Sequence, residues 1–347
     1  MTYHLNTLLG VAVADALGAA TEFKDAADIQ ARWPDGFTTF QWGSPFNFEP
    51  GEATDDTQMT LATLFALRVV PPAAPLHCAA EAALTRYLRW AEADPPDIGV
   101  QTRLALRARS PVGGLRGWLA TECEAAGNGG LMRAAAPFIH GLRGEALTQI
   151  TAVTTALTHP DPRCVLGSVL LAALLERLSA GQAYAPAVRD ALDLAVTYLT
   201  SRVLDDFDRA GLYVGADGHT TDTETRRVVH VNWKAETALA VDVTSRAVSD
   251  ALRGELCGTS GYTVTTLQNA LATGHAGTYL DVVLPHVLRG GDSDTIAAVA
   301  GAIAGARGLD IPEDLASTVR AGHHWDGWDR RWLLREAASR TLGRAAP

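Results

Sequence analysis

Apolar residues recur at helical spacing along most of this chain, and the pattern predicts nine α-helices. Alanine and leucine fill these segments, which suits both helix propensity and close packing between helices. Pairs of proline or glycine separate them, as at 71–72, 95–96 and 113–114. The predicted helices span residues 5–20, 56–69, 76–91, 131–140, 163–179, 187–204, 235–253, 262–273 and 295–306. The sequence therefore predicts a mostly helical protein.

Two segments stand apart from this pattern. Residues 211–232 are polar and rich in turn-forming residues between two apolar ends, so we expect a short hairpin or an ordered loop inserted into the bundle. Residues 321–347 contain three tryptophans and several arginines, which predicts a C-terminal helix that docks by its Trp and Leu face. The chain has neither an internal repeat nor a low-complexity linker, and we expect a single domain over residues 1–347.

Composition and charge narrow the function classes. A formal net charge of -10 argues against a broad nucleic-acid surface. The four cysteines form no C-x-x-C pair, so they indicate free thiols in a reducing compartment. The apolar N-terminal stretch lacks a basic region and contains Asp15, which argues against a signal peptide, and no run is long enough to span a membrane. We therefore expect a soluble, cytoplasmic protein.

Three acidic groups lie where carboxylates are difficult to explain structurally. The first is Asp15 with Glu22, because an aspartate inside an apolar helix is costly unless it is paired or bound to a cation. The second and third open predicted helices at residues 54–56 (TDD) and 292–295 (DSDT). The residues concerned are Thr54, Asp55, Asp56, Asp292, Asp294 and Thr295.

Helix capping is the simpler explanation for either acidic helix start alone. Aspartate and threonine satisfy free amides at a helix N-terminus and suit the positive end of its dipole. One capping residue accounts for one carboxylate, whereas each motif presents two that repel each other unless a cation lies between them. Together the motifs favour a site for a hard cation such as Mg²⁺, Mn²⁺ or Ca²⁺, because histidine and cysteine are absent from both.

A glycine-rich stretch and one histidine are weaker candidates. Residues 126–137 (AGNGGLMRAAAP) allow a ligand to approach the main chain and lead into a predicted helix whose free amides suit a phosphate. Taken alone, such a stretch is usually only a turn. His159 precedes a proline-rich helix start, where a histidine is more often a packing residue than a catalyst.

The motifs taken in order carry a family resemblance. ADALG followed by Glu22, then TDDTQM, DIGVQT, GNGGLMR, THPDP, GYTVTTLQNAL and GGDSDTIAAVAGAIAGA occur between residues 5 and 315. This series resembles the ADP-ribosylglycohydrolase family, and the TDD and GGDSDT motifs are highly specific in combination. The chain departs from the usual family pattern at Ala14, where glycine is common, and at Ser293, where threonine is common. Neither position is an expected metal ligand.

The resemblance implies an all-α, compact orthogonal bundle with two Mg²⁺ or Mn²⁺ ions in a central cleft. It implies that Glu22 binds metal or handles protons, and that His159 lines the substrate site. The metal ligands would be Thr54, Asp55, Asp56, Asp292, Asp294 and Thr295. The loop that wraps ADP-ribose would comprise Gly127, Asn128, Gly129, Gly130, Leu131 and Met132.

The function expected from this resemblance is metal-dependent hydrolysis of the glycosidic bond at C1 of an ADP-ribosyl group. Glu22 or Asp56 would act as the general base or orient the water. A two-metal nucleotide phosphoesterase or pyrophosphatase is an alternative, because metals and a phosphate loop alone permit it. A catalytically silent ADP-ribose-binding protein is a second alternative. The sequence leaves open the acceptor to which ADP-ribose is attached.

Overall fold

The computed structural model describes residues 3–215 and 217–321, and these are almost entirely helical. A short 3₁₀ turn covers Asn128–Gly130. The α-helices are α1 (Tyr3–Gly18), α2 (Ala26–Arg32), α3 (Asp55–Arg68), α4 (Leu76–Glu92), α5 (Val100–Arg107), α6 (Gly113–Ala120), α7 (Ala136–Ile139), α8 (Gly144–Ala156), α9 (Pro162–Ser179), α10 (Tyr184–Ser201), α11 (Val203–Arg209), α12 (Thr223–Leu252), α13 (Thr263–Thr273), α14 (Tyr279–Val287), α15 (Ser293–Ala306) and α16 (Glu313–Thr318).

The all-α prediction is confirmed. Within the described ranges, β-pairing is limited to three isolated bridges. Seven predicted helices correspond to α1, α3, α4, α9, α12, α13 and α15. A continuous hydrophobic core joins residues of most of these helices. That residues 1–347 form a single domain stays a prediction. Among the described residues, no helix has the combination of length and hydropathy that a bilayer span requires.

Three predicted helices are wrong in extent. The helix predicted at 235–253 begins twelve residues earlier, at Thr223, and the other two are broken up. The segment 131–140 folds mainly as turns after the 3₁₀ turn, and only Ala136–Ile139 is α-helical, with Pro137 in its first turn. The buried side chain of Arg133 holds these turns by hydrogen bonds to the nearby Gly129 carbonyl and to the distant Thr154 carbonyl, which overrides helix propensity. The segment 187–204 is divided at Arg202, whose φ of -136° ends α10 and allows α11 to begin.

The predicted hairpin or loop at 211–232 is shorter than expected. Of its described residues, only 211–215 and 217–222 lie outside helices, and Val214 and Thr221 form one antiparallel bridge there. Asp222 caps α12 by accepting hydrogen bonds from the Thr225 backbone N–H at 2.9 Å and its hydroxyl at 2.7 Å. The polar residues that follow belong to an exposed helical turn, where Arg227 pairs with Glu224. Their polarity reflects solvation rather than a loop.

Several helices were not predicted, of which α8 is the longest. It contains four threonines, whose low helix propensity hides a segment that packs by burial of nine of its thirteen residues. The sequence also does not predict five short helices, because six to nine residues are too few for a clear helical repeat of apolar positions. These are α2, α5, α6, α14 and α16. The predicted C-terminal helix within 321–347 lies outside the described residues, apart from Ala321.

Helices α1 and α15 form the central pair of the fold. Every residue of α15 is buried. A Cβ placed on Gly301 would overlap the backbone carbonyl of Gly10, and a Cβ on Gly305 would lie 2.6 Å from Thr7 Cα. The two backbones therefore approach as closely as glycine permits. The helices run antiparallel, and at the other end of the pair Gly18 in α1 lies against Asp294 at the start of α15.

Candidate active site

A cleft with a volume of about 380 Å³ lies where α1 ends and where α3 and α15 begin. Five carboxylates line it, together with the loop at 127–129 and a turn at 259–261. The carboxylates are Glu22, Asp55, Asp97, Asp292 and Asp294. Four segments far apart in sequence thus bring like charges together in one pocket.

The start of α15 is locked to the end of α1. The Ser293 hydroxyl donates a hydrogen bond to the Gly18 carbonyl at 3.0 Å and lies 3.0 Å from the Thr21 hydroxyl. A Cβ on Gly18 would come within 2.6 Å of the Asp294 backbone nitrogen, so this approach requires glycine. Serine at position 293 retains the hydroxyl that these contacts need, which explains why the departure from threonine leaves the turn intact.

Asp15 positions the start of α3 from within α1. Its carboxylate accepts hydrogen bonds from the backbone N–H groups of Thr54, at 2.9 Å, and Thr57, at 3.0 Å. The Thr57 hydroxyl donates to the same carboxylate at 2.5 Å. These contacts explain why an aspartate is tolerated inside an apolar helix: it satisfies the free amides of another helix. We therefore regard Asp15 as an anchor of the site, although one of its oxygens lies close to Asp56 and Asp294.

The two acidic helix starts face each other. The Thr54 hydroxyl donates to Asp294 at 3.3 Å, and the Thr295 hydroxyl donates to Asp56 at 3.1 Å. The N-cap residues of α3 and α15, Thr54 and Asp292, make no side-chain capping hydrogen bond. Capping therefore does not account for either motif.

The buried oxygens form a set suited to hard cations. One oxygen each of Glu22, Asp292 and Asp294 lies within 4.8 Å of the others. Glu22 Oε2, Asp56 Oδ1 and Asp294 Oδ1 are buried and lack a hydrogen-bond partner among the described residues. Buried carboxylate oxygens without donors are costly, and an oxygen-liganded divalent cation would satisfy them. The residues present thus fit a site for a divalent metal ion.

Burial and mutual repulsion both oppose ionisation of these groups. The pKa values of Asp56 and Asp294 are raised well above the ordinary range, first by burial and then by nearby carboxylates. Burial, followed by the charge of Asp294, also raises the pKa of Glu22. Burial raises the pKa of Asp97 to about 6, although a hydrogen bond with Asp55 opposes the shift. A bound cation would reverse this balance and favour the carboxylate forms.

The glycine-rich loop forms another wall of the cleft. Asn128 donates its side-chain amide to Asp292 and, at 2.9 Å, to the Thr266 hydroxyl, which links the loop to the acidic group. Its backbone N–H donates to the Gly261 carbonyl at 3.0 Å. Gly127, Gly129 and Met132 also line the cleft, whereas Gly130 and Leu131 are buried and do not belong to its lining.

His159 supports the loop and reaches the cleft. A Cβ on Gly129 would lie 2.7 Å from His159 Cε1, so loop and ring are in close contact. His159 Nδ1 lies 2.8 Å from the Thr158 hydroxyl, which also accepts a hydrogen bond from the buried Arg133 at 2.5 Å. Burial and the nearby Arg133 lower the pKa of His159 well below its ordinary value, so the ring is neutral. A neutral, fixed histidine serves packing and hydrogen bonding rather than proton transfer.

Sequence reasoning missed several residues of the site. Asp97 and Gln101 line the cleft, and both lie in the DIGVQT stretch that carried the resemblance without receiving a role. Gln101 Oε1 accepts a hydrogen bond from the Gly127 backbone N–H at 3.2 Å. Phe23 also lines the cleft, although its position beside Glu22 was the only available signal. Arg133 could have been noticed as the charged end of the GNGGLMR motif.

Named proteins of two organisms are similar to this chain in sequence. An ADP-ribosylarginine hydrolase of Serratia proteamaculans (strain 568) is 28% identical over 306 residues, which cover 86% of this chain and 69% of the relative. A protein of Acanthamoeba polyphaga mimivirus, provisionally named an ADP-ribosyl glycohydrolase, is 29% identical over 131 residues, which cover 37% of this chain and 38% of the relative.

A solved structure described as an ADP-ribosylglycohydrolase-related protein complex has the same fold. Its TM-score is 0.58 at 23% sequence identity, with 96% of this chain and 95% of that chain covered. The family model described as ADP-ribosylglycohydrolase matches residues 4–346, nearly the whole sequence. The chain therefore belongs to the ADP-ribosylglycohydrolase family, whose members are hydrolases that act on glycosyl bonds.

Proposed function

We propose that this protein hydrolyses the bond between C1 of ADP-ribose and an acceptor side chain, with two Mg²⁺ or Mn²⁺ ions as cofactors. One observation carries the proposal: two acidic helix starts meet, with unsatisfied buried oxygens, beside a glycine loop in one cleft. Thr54, Asp55 and Asp56 would bind the ions from α3. Asp292, Asp294 and Thr295 would bind them from the opposite side.

The bound ions would orient the ribose hydroxyls and lower the pKa of water. Water adds across the bond: its oxygen becomes the C1 hydroxyl and one proton goes to the acceptor. Glu22 is our candidate for handling that proton, because Glu22 Oε2 lacks a partner among the described residues and the side chain lines the cleft. Asp56 is less suitable, since it is fully buried, does not line the cleft, and its Oδ2 already accepts from the Thr295 hydroxyl.

The glycine loop is our candidate for binding the pyrophosphate. Gly127, Asn128 and Gly129 line the cleft, and residues 128–130 form a tight turn. The backbone N–H groups of Gly127 and Asn128 already donate to Gln101 and Gly261, so the Gly129 amide is the candidate donor to a phosphate oxygen. Arg133 is buried directly beneath this turn and donates to the Gly129 carbonyl, which places a positive charge behind the loop. The buried Gly130 and Leu131 would support the loop, while Met132 and His159 would contact the ligand.

The acceptor and the location complete the proposal. The Serratia relative is named for ADP-ribosylarginine, which makes arginine the first acceptor to test. All four cysteines are free thiols, which supports our proposal that the protein works in a reducing compartment such as the cytoplasm.

Release of intact ADP-ribose is the direct test. Purified protein is incubated with arginine-, serine- and nucleobase-linked ADP-ribose in Mn²⁺, in Mg²⁺ and after chelation, and products are separated by chromatography. We expect ADP-ribose from at least one substrate and none after chelation. Formation of AMP and ribose phosphate would support a phosphoesterase instead. ADP-ribose binding without turnover under either metal would indicate a silent binding protein.

Substitution of Gly129 by alanine is expected to weaken ADP-ribose binding by about tenfold. The new methyl group would lie 2.7 Å from a buried histidine ring that cannot retreat, so the loop must move. Isothermal titration with ADP-ribose measures the effect. Gly258→Ala is the matched control, since a Cβ there meets no atom within 4 Å. Equal affinity in the two variants would contradict the proposed role of the loop.

A further inference from the structure

We propose that Phe23 recognises the acceptor side chain and selects a planar cation, the guanidinium group of arginine, over a hydroxyl acceptor. This inference rests on the proposed function and extends it to the leaving group. The observations behind it are the exposure of Phe23, its backbone conformation, the aromatic rings that support it and the charge of the cleft.

Phe23 is an exposed aromatic residue at the cleft. The residue is 67% exposed, yet it lines the same pocket as Glu22 and Asp294. Its φ of +57° lies in the left-handed region, which is unfavourable for a bulky residue. Of the seven described residues other than glycine with positive φ, Phe23 alone lines the cleft. A strained, exposed phenylalanine at this point indicates a function rather than a contribution to the core.

Neighbouring segments hold this conformation in place. The Phe23 backbone N–H donates to the Gly291 carbonyl at 2.7 Å, and the Gly291 N–H donates to the Lys24 carbonyl at 2.9 Å. Residue 23 is thereby paired with the turn that leads into Asp292. The ring of Phe23 packs edge-on against Phe46 at a centroid distance of 6.0 Å. Phe46 in turn contacts the buried Phe48, so the exposed ring of Phe23 is connected to the protein interior through packed aromatic rings.

The position of Phe23 corresponds to the acceptor side of the bond that is broken. Glu22 is the proposed proton-handling group at C1, and the glycine loop is the proposed site of the pyrophosphate. Phe23 follows Glu22 and is hydrogen-bonded to the turn that precedes Asp292, so in this proposal it lies on the side of the leaving group rather than on the side that holds ADP-ribose.

The charge of the cleft favours a cationic acceptor. Five carboxylates line the cleft, and among its described lining residues there is neither lysine nor arginine. Two divalent ions would carry four positive charges, which leaves the cleft attractive to a further cation. A guanidinium group stays protonated at any physiological pH and stacks on aromatic rings. A serine acceptor offers neither charge nor a planar face.

The test compares Phe23 variants on two substrates that differ only in the acceptor. For ADP-ribosylarginine we expect Phe23→Ala and Phe23→Leu to raise KM about tenfold with little change in kcat, because both lack the aromatic face. Phe23→Tyr is expected to retain the wild-type KM. Hydrolysis of serine-linked ADP-ribose and the affinity for free ADP-ribose are expected to be the same in all variants. Trp42→Ala removes an exposed aromatic side chain outside the cleft lining and is the matched control.

The outcomes separate this proposal from the proposed function. If the wild-type protein releases ADP-ribose from arginine and Phe23→Leu has an unchanged KM, the acceptor role of Phe23 is wrong while the hydrolase activity stands. A loss of kcat at unchanged KM would show that Phe23 acts only by placing Glu22, and this too overturns the proposal. If the wild-type protein releases ADP-ribose from no substrate, the proposed function fails and the role of Phe23 fails with it.

Discussion

Replacement of Asp294 by asparagine is expected to lower kcat/KM for ADP-ribose release by about a hundredfold or more while leaving the protein folded. Asp294 is the carboxylate common to both groups of oxygens that lie within 4.8 Å of one another. Its Oδ1 has no hydrogen-bond partner among the described residues, so the atom is available to a cation. Removal of one charge at this point weakens both sides of a dinuclear site.

The same substitution is expected to stabilise the metal-free protein. In the absence of a cation, Asp294 is buried and faces the charges of Asp292 and Asp97, which raise its pKa along with burial. A neutral amide of the same shape removes this repulsion, so Tm in the presence of a chelator should rise. The increase in Tm that Mn²⁺ gives the wild-type protein should disappear, because that increase depends on binding to the native state.

Asp281→Asn is the matched control for this experiment. Asp281 is also in the first turn of a helix, but it is exposed and lies outside the cleft. We expect wild-type activity and a wild-type response of Tm to Mn²⁺. If Asp294→Asn behaved like this control in both measurements, the assignment of a metal site between α3 and α15 would be wrong. Calorimetric titration with Mn²⁺ gives the affinity directly and needs no substrate.

The sequence predicts the parts of this molecule that follow a local rule. Long apolar helices such as α1, α9 and α15 were placed within a few residues, because their periodicity or small-residue composition persists over several turns. The acidic helix starts were recognised because two adjacent like charges exceed what capping needs. Both results depend on residues close together in the chain.

Long-range contacts explain what the sequence could not predict. Asp15 was predicted to be either paired or bound to a cation; that its partners are amides at the start of α3 is apparent only once α1 and α3 are side by side. Arg133 prevents a helix at 131–140 through contacts with carbonyls more than twenty residues away. Asp97 carries no local signal beyond its motif and reaches the cleft through the packing of α5. Tertiary contacts of this kind override propensity and are invisible to periodicity.

Substitution of Gly18 by alanine is expected to weaken both the fold and the binding of metal. The added Cβ would lie 2.6 Å from the Asp294 nitrogen and 2.8 Å from the Ser293 carbonyl oxygen. These are backbone atoms, so relief requires α1 and α15 to move apart. We expect a loss of about 1–3 kcal/mol in the free energy of unfolding. We also expect a drop in Mn²⁺ affinity, because the displaced turn carries Asp294.

Two further glycines distinguish the causes of that effect. Gly117 in α6 has no atom within 4 Å of an added Cβ, so Gly117→Ala should be neutral or stabilising by up to about 1 kcal/mol. Gly301→Ala forces the same two helices apart in the middle of α15, about two turns from the acidic residues. It should therefore destabilise the protein while reducing Mn²⁺ affinity less than Gly18→Ala does. Equal losses of affinity would mean that Mn²⁺ binding depends on how tightly α1 and α15 pack along their whole length, and not specifically on the position of Asp294. The small residues of α15 allow α1 to pack closely against it, and this packing holds the first turn of α15 in place. We therefore expect alanine substitutions at the α1–α15 contact to weaken metal binding more the closer they lie to that turn.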